Sequence, residues 1–69
     1  MFIEEVFKDL EQLYFNLKAD REVNAVDKNF IKNSEVLQFM VEKEYLSKTK
    51  DGKIFVSDKG RHFLLNFFS

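Results

Sequence analysis

The pair Asp51-Gly52, set between LSKTK and KIFV, constrains the fold more than any other feature of the chain. Asp-Gly flanked by alternating apolar and polar residues is what tight hairpin turns select, because Gly takes a positive φ without a Cβ clash. Two registers are open. A two-residue turn puts Leu46 on one face with Phe55 and sends Ile54 and Val56 to the other. A type I turn at Lys50 and Asp51, with Gly52 in a left-handed bulge, puts Leu46, Ile54 and Val56 on one face. The second register gives a single apolar face. It also turns Lys48 inward near the tip, where its stem can lie on apolar surface with the ammonium in water, and faces Thr49, Lys53, Phe55 and Ser57 outward.

Helical periodicity accounts for most of the rest. Ile3, Val6, Phe7, Leu10, Leu13, Tyr14 and Leu17 recur at three- and four-residue spacing and predict an amphipathic helix from Phe2 to Ala19. Phe2 and Phe15 lie off that stripe, which leaves them to a covering loop or a second subunit. The stretch DREVNAVDKNFIKNS breaks the period: Val23 and Val26 suit a short extended piece, and Asp27 suits the N-cap of a short helix turning Phe30 and Ile31 inward. Asn33 and Ser34 offer a turn and a second cap before a helix to about Lys43, with Val36, Leu37, Met40 and Val41 as its apolar stripe. One continuous helix from Asp27 to Lys43 is the competing reading. Ser57 caps a final helix with Asp58 at its first position, and Gly60 there suits close approach to a neighbouring backbone. That helix is apolar around much of its circumference. A surplus face predicts self-association, with Phe2, Phe15, Phe63, Leu64, Phe67 and Phe68 as interface candidates.

Composition narrows the class of function. With 69 residues the chain is expected to form one domain, 1–69, with a core barely sufficient to offset folding entropy. Nine Phe and an apolar fraction of 45% predict a folded chain. No Cys and a single His, His62, leave no thiolate or zinc centre and no Cys-His pair for nucleophilic catalysis. The carboxylates are spread over amphipathic surfaces without phosphate-loop or metal-ligand spacing, so no catalytic residue, cofactor or metal is expected. No apolar run is long enough to span a membrane, and the first ten residues carry acids where a signal peptide carries bases, which predicts a cytoplasmic protein. Charge is unevenly distributed along the chain. Residues 1–20 hold two bases and five acids, whereas residues 45–69 hold five bases and two acids. A polyanionic partner at the hairpin end fits that asymmetry.

The resulting order is helix, extended piece, short helix, helix, hairpin, helix, an α+β and mostly helical arrangement. It is the order of a winged helix-turn-helix domain with a C-terminal helix after the wing. The segment SEVLQFMVEKEYLSKTKDGKIFVSDKGRHFLL resembles the second half of small winged-helix DNA-binding domains from archaea, bacteria and their viruses. Those leave the wing through an aromatic-x-Leu-Thr-x-Lys-Gly-x-x-Phe-Leu segment; here Phe55 to Leu64 read FVSDKGRHFL. The resemblance covers residues 34–65, and the N-terminal half only by element order. It departs at Glu44, where the family carries Gly, and at Glu35 and Glu42, acids on a helix that is usually basic.

The resemblance implies double-stranded DNA as partner, bound by a dimeric transcriptional regulator. Lys32, Asn33, Ser34 and Gln38 at the recognition helix would touch base edges or phosphate. Lys48, Lys50 and Lys53 on the wing, with Lys59 and Arg61 behind it, would meet phosphates. Each group also suits a plain solvated surface. A module that binds another protein, such as an inhibitor or assembly factor of a mobile element, is the alternative, motivated by the acids and the surplus Phe.

Overall fold

The computed structural model describes residues 2–68, with the Phe68 side chain outside the described set. The chain runs α1 (Phe2–Glu11), a π-helical extension (Gln12–Asn16), a 3-10 turn (Glu22–Asn24), β1 (Val26–Asp27), a second 3-10 turn (Lys28–Phe30), α2 (Ser34–Glu42), β2 (Leu46–Lys48), β3 (Lys53–Val56) and α3 (Asp58–Phe68). The architecture is α+β, with three helices and an antiparallel sheet of order β1-β3-β2.

The first helix does not continue as one α-helix to Ala19. It widens at Gln12, where Leu17 N–H donates to Gln12 O at 2.9 Å, and it ends at Lys18 with φ +56°. Ala19 N–H closes the end on Leu13 O at 2.7 Å. A five-residue bond spacing rotates the following side chains out of the α-helical phase. Leu17, expected on the buried stripe, is therefore exposed, and Ala19 is buried in its stead; Ile3, at the other end of the stripe in the first turn of α1, is also exposed. The buried row is Val6, Leu10 and Leu13.

The middle segment is two pieces. Val23 is not in a strand: it sits in the first 3-10 turn, 88% exposed. Val26 does join the sheet, opposite Ile54, with Asp27 opposite Lys53. Asp27 Oδ1 accepts from Asn29 N–H at 2.8 Å and caps a 3-10 turn of three residues, after which Ile31 drops into the core. The cap of α2 is Asn33, whose Oδ1 accepts from Glu35 N–H at 3.0 Å, and Ser34 is the first helical residue. Val36 and Met40 are buried along α2, and Leu37 and Val41 half-buried beside them.

Glu44 carries the left-handed residue that ends α2, at φ +64°. Tyr45 N–H reaches Met40 O at 2.8 Å and Glu44 N–H reaches Val41 O at 3.1 Å, the paired bonds of a Schellman end. Tyr45 then turns edge-on to Phe39, 6.2 Å between ring centres. The strain a side chain bears at that φ is about 1–2 kcal/mol.

The hairpin takes the bulged register. Gly52 N–H donates to Thr49 O at 3.2 Å, Thr49 N–H to Lys53 O at 2.9 Å, and Gly52 has φ +85°. Leu46 faces Val56, and Lys48 faces Ile54. Leu46, Ile54 and Val56 are all buried, on a core shared with the α1 row, Val36, Met40 and Leu64. Each such aliphatic contributes roughly 1.5–3 kcal/mol through removal from water.

The start of α3 is fastened to the end of α2. Ser57 Oγ accepts from Gly60 N–H at 3.2 Å and donates to Glu44 O, while Ser57 N–H donates to Tyr45 O at 3.0 Å. Gly60 lies so close to this junction that a Cβ on it would stand 2.2 Å from Tyr45 O. The expected close approach is thus the backbone of the turn after α2.

Candidate nucleic-acid interface

Asn33 and Gln38 are amides able in principle to pair with a base edge, and both are already engaged. Asn33 Oδ1 caps α2, and its Nδ2 donates to Glu5 Oε2 at 3.0 Å. Gln38 Nε2 donates to Glu42 Oε1 at 3.3 Å along the same helix. The exposed face of α2 therefore presents Glu35, Gln38 and Glu42, two acids around one committed amide. The first turn of α2, where a helix dipole favours an anion, already holds the Asn33 cap and Glu35. Ser34 and Lys32 are exposed. Lys32 borders a shallow depression that also takes in Glu5, Lys8, Asp9 and Asn33. Partial burial, and then the charge of Glu5, push the Asp9 carboxyl above its ordinary value, with Lys8 opposing. This end of the molecule is more acidic than residues 32–38 alone suggest.

The wing is different. Lys48, Lys50 and Lys53 are exposed, and among the described residues none of them forms an ion pair. Their spread follows from the register: Lys48 opposes Ile54, Lys53 projects from the other side of the strand, and Lys50 stands in the turn between them. Thr49 fixes the tip. Its Oγ1 accepts from Lys53 N–H at 3.0 Å and its hydroxyl donates to the Asp51 carboxylate. That hydroxyl, helped by backbone N–H groups and Lys53, holds the Asp51 carboxyl below its usual range. Asp51 is thus a fixed negative charge amid three positive ones. Beside the tip runs a groove walled by Glu22, Val23 and Ala25.

Lys59 and Arg61 are partly spent. Lys59 Nζ pairs with Glu44 Oε1 at 3.0 Å, and Arg61 with Asp58 Oδ1 at 3.4 Å. Sequence spacing offered a signal for the second pair, at i and i+3, and none for the first.

The aromatic candidates separate sharply. Leu64 is wholly buried in the protomer's own core, so its place at a subunit interface is corrected: the helix row that holds Gly60 against Tyr45 also turns Leu64 inward. Phe63 is half-buried, stacked on Tyr45 at 4.7 Å and edge-on to Phe67 at 4.9 Å. Phe67 also packs on Phe7 at 4.7 Å, yet stays 53% exposed, and Phe2 meets Phe39 edge-on at 5.1 Å. Phe15 is 45% exposed and shares a depression with Leu65, 48% exposed, a residue the sequence did not single out for the interface. The Phe68 side chain lies outside the described residues.

Among the described residues no group of His, Asp and Glu is placed to hold a metal ion, and no helix is long and apolar enough to cross a membrane. Compared with protein-family models, curated proteins and solved structures, the chain matches none.

Proposed function

We propose that this chain is a cytoplasmic DNA-binding protein of winged helix-turn-helix type, a binding module rather than an enzyme, that holds duplex DNA chiefly through its wing. Support for the fold assignment comes from the element order, the sheet order β1-β3-β2 and the hairpin that leads directly into α3. The helix that would precede the recognition helix is reduced to one 3-10 turn. The single observation that carries the reading is the tip bearing Lys48, Lys50 and Lys53, all exposed and, among the described residues, in no ion pair, with Asp51 set among them. Ammonium groups on a fixed turn suit phosphate oxygens, and such contacts hold the duplex without reading its sequence. The tied amides of Asn33 and Gln38 and the acids Glu35 and Glu42 argue that base readout by α2 is weak, so a regulator built on this chain would discriminate little between sequences by itself.

Three phosphates neutralised give a slope of log affinity against log salt of about −2.7, hence roughly a 40-fold loss between 50 and 200 mM salt. Titration of a labelled duplex at several salt concentrations measures it. Lys50→Gln or Lys53→Gln is expected to lower the slope's magnitude by about 0.9 each, for every duplex sequence alike. Absence of binding at the lowest salt would overturn the DNA reading. The second reading, docking on a protein with a basic surface, is favoured by one observation, the Glu35 and Glu42 face of α2.

A further inference from the structure

The closing rung of the hairpin is completed by a side chain. In a regular tight hairpin the two residues that flank the turn exchange a pair of backbone bonds. Here Thr49 N–H donates to Lys53 O at 2.9 Å, but Thr49 O is taken by Gly52 N–H at 3.2 Å, the pattern of a bulge with Gly in its left-handed position. Lys53 N–H goes instead to Thr49 Oγ1, at 3.0 Å. The same hydroxyl donates its proton to the Asp51 carboxylate. One hydroxyl therefore supplies the acceptor that the bulge has removed and draws the charge between Lys50 and Lys53 back onto the turn. The buried residues of the ribbon, Leu46, Ile54 and Val56, lie away from the tip, so the core does not depend on either bond.

We propose that Thr49 is the positioning residue of the wing, its hydroxyl fixing the backbone from which Lys50 and Lys53 project and restraining the Asp51 charge against the turn, away from the phosphates those lysines hold. The inference rests on the DNA reading and adds to it what governs the strength of the contact. Lysine side chains lose much rotamer freedom on binding, and a turn that is already fixed leaves less of the contact to be ordered. A carboxylate bonded to a hydroxyl also repels a nearby phosphate less than a free one does. Glu22, on the wall of the groove beside the tip, takes no part in these bonds and adds the same repulsion in every variant.

Titration of a labelled duplex at low salt with the full chain tests it. Thr49→Val keeps the branched shape without the hydroxyl and is expected to bind about fivefold more weakly than the parent. Thr49→Ser returns the hydroxyl and is expected to bind within about twofold of the parent. In an Asp51→Asn background the charge that Thr49 restrains is gone, so the same Thr49→Val change is expected to cost only about twofold. Amide hydrogen exchange without DNA reads the bond itself: Lys53 N–H should exchange faster in Thr49→Val and at the parent's rate in Thr49→Ser. Circular dichroism checks that each variant is folded. A parent chain that fails to bind at the lowest salt is the failure of the DNA reading and takes this proposal with it. With a parent that binds, the role of Thr49 alone is overturned by a Thr49→Val chain that binds as tightly, by no return of affinity in Thr49→Ser, by the same loss in both backgrounds, or by an unchanged Lys53 amide.

Discussion

Replacing Gly60 by Ala separates two accounts of α3 by the sign of the change in stability. On an open helix surface the substitution stabilises by about 1 kcal/mol, since Ala is the better helix former. Here the added Cβ would stand 2.2 Å from Tyr45 O, 3.0 Å from Val56 Cγ1 and 3.1 Å from Tyr45 C. Two of those atoms are backbone and cannot swing aside. Tyr45 O accepts the Ser57 N–H bond that fastens α3 to the end of α2, so moving it disturbs that bond as well. Overpacking of this kind costs about 1–3 kcal/mol, and a weakened hydrogen bond about 1 kcal/mol more. Against the gain in helix propensity, the expected net loss is about 2 kcal/mol. In a chain of this size that lowers the melting temperature by roughly 8–16 °C. Urea unfolding followed by circular dichroism measures it at constant m-value. A Gly60→Ala chain as stable as the parent, or more so, would refute the close approach and with it the junction that positions the wing.

Three further outcomes follow from particular residues. Glu44→Gly is expected to stabilise by about 0.5–1 kcal/mol in thermal unfolding, because relief at φ +64° exceeds the loss of the exposed pair with Lys59. Asp9→Asn should stabilise at neutral pH and lose that advantage on acidification. The folded Asp9 carboxyl holds its proton to higher pH than the unfolded one, so its ionisation costs stability above the ordinary value of 3.8, a cost that disappears below it. Thermal midpoints of parent and variant compared at pH 3 and pH 7 check the sign. Asp51→Asn keeps a residue suited to the turn and removes the acid between Lys50 and Lys53 at the wing tip, so duplex affinity at low salt should rise a few-fold, read by the same titration of a labelled duplex.

The hairpin was legible because its two registers place different residues together and only one gathers Leu46, Ile54 and Val56 on a face. Ser57 was legible as a cap for equally local reasons, whereas Glu44 stood out only through the resemblance, where the family carries Gly. The π-helical extension was hidden: Leu13, Tyr14 and Leu17 fit an α-helical period, and the widened turn that exposes Leu17 and buries Ala19 leaves no mark in the pattern. The buried side of α3 could have been found. Gly60 needs a close neighbour, and Leu64, four residues on, shares its row, which leaves Leu65 to face out. For the candidate site, sequence named residue types able to touch DNA but not their prior commitments. Asn33 meets Glu5 across 28 positions, and Lys59 meets Glu44 across 15, contacts that only the folded chain creates.

Amide chemical-shift mapping during addition of a short duplex tests most directly whether the wing is the contact surface. Shifts are expected to concentrate at residues 48–53 and to stay small along the Glu35 and Glu42 face of α2. Shifts centred on α2 with an unaffected wing, or no shifts at low salt, would contradict it.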